Sequence, residues 1–189
     1  MNTLSFKLKS EAPLLMHSSQ AANPRNVYAK MLKEVSSKRK KTDEDHDEMS
    51  RIEFLAGAYH DEVIGYHLPA DLIDACFYGS AKQFRLGSLW KQAVLVVEDS
   101  PLIFKDNNKE PEELFAINSY VDVRSVKIGT ARVMRTRPKI NDWSLSLNLF
   151  YDEDKINESE VVQIVNNAGK YVGFCDNRPR FGRFSVERV

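Results

Sequence analysis

The clearest pattern along the chain is strict alternation of apolar and polar positions. Leu4, Phe6 and Leu8 interleave with Ser5, Lys7 and Lys9, and Trp143, Leu145, Leu147, Leu149 and Tyr151 interleave with Ser144, Ser146 and Asn148. Successive strand side chains point to opposite faces, so each stretch predicts a strand with one buried and one wet face. Elsewhere the period changes. Ile73, Cys76, Phe77, Ser80 and Phe84 form one stripe of a helix that starts near Pro69 or Asp71, leaving Lys82 and Arg85 outside it. Residues 26–41 read as a helix ending in SSKRKK. Thr42 and Asp45 then have capping-box spacing, opening a helix that carries Met49, Ile52, Phe54 and Leu55. Asn157 and Glu160 predict the cap of a helix over 158–168, with Val161, Val165 and Ala168 inside and Gly169 as its stop.

Gly87 reads as the stop of the helix over 70–86, and QAVLVVE as a strand buried on both faces. PEELF suggests a short helix within an acidic, irregular segment. VDVRSVKI and ARVMRTRP flank a turn at Gly129 and predict a hairpin, and FGRFSVERV predicts a closing strand. In order, strand 3–9, helix 70–86, strand 92–98, strand 143–151, helix 158–168 and strand 181–188 spell βαββαβ. The expected class is therefore α+β, a ferredoxin-like (RRM-like) core forming one domain over 1–189. Two insertions decorate it: a mostly helical one over 10–68, and one over 99–141 that contains the basic hairpin.

Charge changes the picture by its distribution. The 189 residues hold 27 Lys or Arg against 27 Asp or Glu, a formal net charge of zero. Yet Arg124, Lys127, Arg132, Arg135, Arg137 and Lys139 stand together against Asp122 alone, while acids gather in TDEDHDE, over 98–113 and in YDEDKINESE. Such clustering suits an anionic partner. No run of about 18 apolar residues occurs, so no membrane span is expected. MNTLSFKLKSEAPLL reads as a strand, without the apolar centre of a signal peptide. Cys76 and Cys175 read as buried free thiols of a reducing compartment, placing the expected location in the cytoplasm.

Signals for chemistry are sparse. His17, His46, His60 and His67 show no HExxH or paired metal spacing, and no GxSxG, P-loop or GxGxxG occurs. Asp43, Asp45, His46 and Asp47 fall on the first turn of one helix, where they suit its macrodipole and solvent better than a metal. No catalytic residue, metal or cofactor is therefore expected.

Binding signals are stronger. Arg132 lies on one side of the hairpin and Arg135 with Arg137 on the other, and a core-facing ribbon would bury those charges at high cost. A projecting one could straddle a phosphate chain; the competing reading is an ordinary solvated hairpin. In NRPRFGRF, Arg178, Arg180 and Arg183 surround Pro179 and Gly182, and Phe181 offers a face for a base. There the competing reading is that Phe181 and Phe184 pack while the arginines face water. The polar sheet face, with Thr3, Ser5, Lys7, Ser144, Ser146 and Asn148, carries no ring of the kind RNA recognition motifs use for stacking.

YHLPADLIDACFYGSAKQFRLG is similar to the segment that opens the first helix of RAMP-superfamily proteins, the repeat-associated proteins of CRISPR effector complexes. Leu68, Pro69, Gly79 and Arg85 are the matching characters. VGFCDNRPRFGRFSV resembles the family's glycine-rich loop running into its last strand, and the order of elements resembles the backbone subunit. The chain departs from the family in having Gly173 and Gly182 rather than a dense glycine run, and Ala81-Lys82 where Ala-Leu-Arg is usual. It thus looks like a diverged relative, of the kind a phage or mobile element encodes. The resemblance implies a non-catalytic protein that oligomerises along single-stranded RNA, alone or with other complex subunits. By that analogy Lys82, Arg85, Arg178, Arg180 and Arg183 contact phosphates. Arg132, Arg135 and Arg137 lie on a thumb-like hairpin with Arg124 and Lys127, and His17, Asn23 and Arg25 of the HSSQAANPR loop are further candidates. Two alternatives stand: an endoribonuclease using His60, His67 or Asp122, and a phage structural or inhibitory protein that reuses the fold.

Overall fold

A computed structural model describes residues 1–189, the side chain of Ile128 excepted. Its strands in chain order are β1 (Asn2–Ser10), β2 (Leu14–Leu15), β3 (His60–Asp61), β4 (Gly65–Leu68), β5 (Val94–Leu95), β6 (Ser100–Pro101), β7 (Val121–Ile128), β8 (Ala131–Ile140), β9 (Ser144–Tyr151) and β10 (Phe184–Arg188). The helices are α1 (Val27–Ser36), α2 (Asp43–Gly57), α3 (Ala70–Gln83), α4 (Gly87–Ala93), α5 (Pro111–Phe115) and α6 (Glu158–Tyr171). The chain is thus α+β with antiparallel sheets. It divides into two compact units: Met1–Leu14, Asp61–Asn107 and Ile140–Val189 form the first, and Leu15–His60 with Asn108–Lys139 form the second.

The first unit is built on a four-stranded sheet of order β10-β1-β9-β5, every neighbouring pair antiparallel. The alternation predicted for β1 and β9 holds in full. Leu4, Phe6, Leu8, Leu145, Leu147, Leu149 and Tyr151 are buried, while Lys7, Ser146 and Asn148 are exposed. The stripe of α3 is buried at Ile73, Cys76, Phe77 and Ser80, and the Ser80 hydroxyl donates to the Ile164 carbonyl of α6 at 2.8 Å. Phe77, Trp90, Trp143, Phe174 and Phe184 form one aromatic cluster, in which Phe174 stacks on Phe184 at 4.5 Å. Each large side chain removed from water there contributes about 1.5–3 kcal/mol.

Four local expectations need correction. Gly87 does not stop a helix; it opens α4, and only Val94 and Leu95 of QAVLVVE pair as a strand. Trp90 and Ala93, three apart, are both fully buried, which is helical spacing, and the Trp90 indole donates to Asp74 at 2.8 Å. Leu95 and Val97 are exposed, so the segment is not buried on both faces. Gly169 lies inside α6 and is there for room: a Cβ at 169 would stand 2.2 Å from the Phe184 carbonyl oxygen. The helix predicted over 26–41 ends at Ser36, well short of Thr42, which is extended (φ −89°, ψ 173°) as the cap of α2.

In the second unit Thr42 and Asp45 complete the predicted capping box, the Asp45 N–H donating to the Thr42 hydroxyl at 3.3 Å and the Thr42 N–H to the Asp45 carboxylate at 3.0 Å. Met16, Ile52, Phe54, Leu55, Leu114 and Tyr120 are buried, and Phe54 meets Phe115 at 5.3 Å. The predicted hairpin is β7 with β8, in the register Asp122 to Arg137, Arg124 to Arg135 and Lys127 to Arg132. Gly129 sits at its turn with φ +60°.

Candidate functional site

The zero net charge conceals a division between the units. The second holds fifteen Lys or Arg against eleven Asp or Glu, a formal +4; the first holds twelve against sixteen, a formal −4. Within each unit the candidate cations differ in what holds them.

In the first unit the segment between α6 and β10 forms a closed loop. Val172 and Gly173 both donate to the Ala168 carbonyl, at 3.0 and 2.9 Å, and Gly173 turns the chain with φ +77°. Phe174 then drops into the aromatic cluster, fully buried, and its N–H donates to the Gly182 carbonyl at 2.9 Å. Gly182 donates to Pro13 at 2.8 Å and has φ +72°; a Cβ there would stand 2.0 Å from the Phe174 carbonyl oxygen. The Phe174–Gly182 pairing makes a neck, and Arg178, Pro179 and Arg180 lie exposed beyond it. Cys175 and Asn177 are left-handed, at φ +59° and +58°, and the Arg178–Pro179 peptide is cis. Arg183, also exposed, donates from Nε to the Pro179 carbonyl at 2.8 Å. Among the described residues no carboxylate lies within ion-pair distance of Arg178, Arg180 or Arg183. Phe181 is half-buried rather than laid open.

Beneath the neck, Cys76 on α3 donates from its thiol to the Gly173 carbonyl at 3.2 Å. Burial pushes its pKa up to about 12, with the nearby Arg178 charge opposing. Burial pushes Cys175 up as well, and both thiols are free. Lys82 and Arg85 are exposed at the end of α3, where the Lys82 ammonium sits 4.9 Å from the Tyr78 ring centroid.

The hairpin of the second unit presents its cations differently from expectation. One face carries Asp122, Arg124, Arg135 and Arg137. Both guanidinium donors of Arg124 reach the Asp122 carboxylate, and Arg135 pairs with Glu53 of α2, which also accepts the Thr136 N–H at 2.9 Å. Arg137 is buried, 6% exposed, in register with the equally buried Asp122. The other face leaves Lys127 and Arg132 exposed near the turn, with exposed Val123 and Met134 behind them, and Arg132 reaches the Ser125 hydroxyl at 3.5 Å. His17 and Arg25 are exposed; the His17 carbonyl accepts from the Tyr59 hydroxyl at 3.1 Å, and the Asn23 side chain accepts from the Arg25 N–H at 3.0 Å. Exposed Arg39 and Lys40, with the half-buried Lys41 and with Lys38 paired to Asp45 at 2.5 Å, add cations between α1 and α2 that were not among the expected site residues, although the KRKK run itself was visible.

No protein-family model and no curated protein matches the chain. The groups considered for catalysis are held in other work. The two ring nitrogens of His67 face the Gly65 carbonyl at 2.9 Å and Asp99 at 3.9 Å, and Asp99 also accepts the first N–H of α3 at 2.8 Å. His60 faces Glu110 at 3.9 Å, and Asp122 holds Arg124. Among the described residues no group of three or more His, Cys, Asp or Glu could hold a metal ion, and no helix is long and apolar enough to cross a membrane.

Proposed function

We propose that this chain is a non-catalytic protein that binds single-stranded RNA and coats it in repeated copies, in the manner of the backbone subunit of a CRISPR ribonucleoprotein. The observation that carries the reading is the terminal loop. Three exposed guanidiniums, none engaged by a carboxylate among the described residues, stand on a backbone pinned at Phe174 and Gly182. Guanidinium forks suit phosphate oxygens, and a loop already fixed loses little freedom on binding. Lys127 and Arg132 of the hairpin turn support it from the second unit, whose formal charge is +4. The reading treats the four-stranded sheet as ferredoxin-like; its order, 4-1-3-2 counting its own strands, with α3 and α6 in the two crossovers, supports that. It places the protein in the cytoplasm, within a CRISPR complex or encoded by a phage or mobile element.

The test is fluorescence anisotropy of a labelled oligouridylate over a salt series. Each phosphate neutralised on a single strand contributes about 0.7 to the log–log slope, so R178A/R180A flattens it by about 1.4 and weakens binding to every sequence alike. An unaltered slope in that double variant refutes the reading.

A further inference from the structure

Strand β9 is paired along its whole length on one side and interrupted on the other. In an antiparallel pair the N–H and C=O of one residue turn to the same neighbour, and successive residues turn to opposite edges. The Ser10 N–H donates to the Trp143 carbonyl at 2.9 Å, which turns the odd-numbered residues of β9 toward β1. The even-numbered ones face the other edge. There Ser144 exchanges both bonds with Ile103, at 2.8 and 2.9 Å, and just past the strand the Asp152 N–H donates to Ala93 at 2.8 Å. Phe150 is in register with Leu95 of β5 on the same edge. Ser146 and Asn148 lie between these anchors, and among the described residues no strand pairs with them there. After Leu95 the chain leaves β9 and meets it again at Ile103, while β6 pairs with β4 through Ser100 and Pro101.

The interruption is a cavity of about 120 Å³. Ser146 and Asn148 border it from β9, and their carbonyls, two residues apart on an antiparallel strand, repeat at about 6.8 Å. Among the described residues no backbone N–H donates to either carbonyl on this edge. Glu98, Asp99 and Ser100 also line the cavity. Glu98 is exposed and, among the described residues, in no ion pair. Asp99 is fixed by the Ala70 N–H, which donates to one of its carboxylate oxygens at 2.8 Å. Ser100 is 3% exposed, and its hydroxyl makes no hydrogen bond among the described residues. A hydroxyl taken out of water without a partner is costly, so its place in the lining points to a ligand that pairs with it. Two carboxylates and two carbonyls make acceptors dominant, and the group that answers them is a cation carrying several N–H donors.

We propose that the interrupted edge of β9 is a binding site for a doubly protonated alkyl diamine, one ammonium on the Ser146 carbonyl and the other on the Asn148 carbonyl. Glu98 and Asp99 balance the two charges, and the Ser100 hydroxyl accepts a further N–H. A chain of four carbons sets its nitrogens close to the two-residue repeat of the strand, whereas a chain of three falls short of it. The site goes beyond the RNA-binding reading and does not rest on it: its ligand is cationic, and it lies in the unit whose formal charge is −4. Sequence pattern does not indicate it, because which edge of β9 stays unpaired depends on where the chain from Leu95 to Ile103 runs.

The test is amide NMR of the whole chain titrated with butane-1,4-diamine and, separately, with propane-1,3-diamine, at constant ionic strength and neutral pH without RNA. The Ser100, Ser146 and Asn148 amides are expected to shift saturably, and the four-carbon diamine to reach half-saturation at the lower concentration. E98Q removes an exposed charge and is expected to weaken binding about threefold, and E98Q/D99N about tenfold. The D99N change keeps an oxygen for the Ala70 N–H, and circular dichroism checks that the double variant is folded. Absence of shifts at those three amides overturns the site. So do equal half-saturation by the two diamines, binding by folded E98Q/D99N that matches wild type, and the same shifts produced by sodium chloride at matched ionic strength. Each of these results leaves the RNA-binding reading standing, since no RNA is present.

Discussion

Replacing Gly182 with alanine tests whether the arginine loop is a rigid platform. Two costs combine. A residue with a side chain pays about 1–2 kcal/mol to stay left-handed, as φ +72° demands. The new Cβ would also stand 2.0 Å from the Phe174 carbonyl oxygen and 2.6 Å from its nitrogen, and these are backbone atoms that cannot swing aside. Relief requires opening the neck, losing the Phe174 to Gly182 and Gly182 to Pro13 hydrogen bonds at about 1 kcal/mol each. The expected total is about 3–4 kcal/mol. Gly65 is the control within the same unit: its φ is +75°, yet nothing lies within 4 Å of an added Cβ, so G65A pays the conformational cost alone. Both tryptophans, Trp90 and Trp143, are buried in the first unit, so their fluorescence during urea unfolding reports that unit. With a urea slope of about 2 kcal/mol/M, the midpoint falls by about 1.5–2 M for G182A and by about 0.5–1 M for G65A. Equal midpoints for the two variants would refute the rigid neck, and with it the pre-organisation assigned to Arg178 and Arg180.

The cap of α2 and the buried Cys76 thiol give three further tests. T42A removes the side-chain half of the capping box and should cost the second unit about 1 kcal/mol in chemical denaturation. Asp45 has its pKa lowered, first by its hydrogen bond from Lys38 and then by the Thr42 backbone N–H. A depressed carboxylate stabilises above its unfolded value near pH 4 and is lost as the pH falls through the folded one. Helix content followed by circular dichroism should therefore fall on acidification below about pH 4, and less so in D45N. Cys76, buried and with its thiol pKa pushed up by that burial to about 12, stays protonated at pH 8 and, in C175S, should resist a thiol-reactive dye in the folded protein but react in denaturant. Rapid labelling of Cys76 without denaturant would contradict the packing beneath the loop.

The strands β1 and β9, the α3 stripe and both capping boxes were legible because each depends on residues a few positions apart, within reach of strand or helix periodicity. Arg124 was expected among the binding cations, although two residues from Asp122 on a strand it shares that acid's face and is engaged by it. The α4 helix was not, since AVLVV fits a buried strand as well as a helix end, and only the burial of Trp90 beside Asp74 decides between them.

The sequence by itself determined the strands β1 and β9, the helices α2, α3 and α6, and which stretches would be cationic, because these follow from local side-chain order and composition. Only the tertiary structure decided which cations remain available. Arg135 meets Glu53 across 82 positions, Arg137 is buried opposite Asp122, and Lys91 joins Lys82 over Tyr78, while Arg178, Arg180 and Arg183 keep their charge in solvent. Charge cancellation depends on distance in space, and packing of remote segments sets that distance.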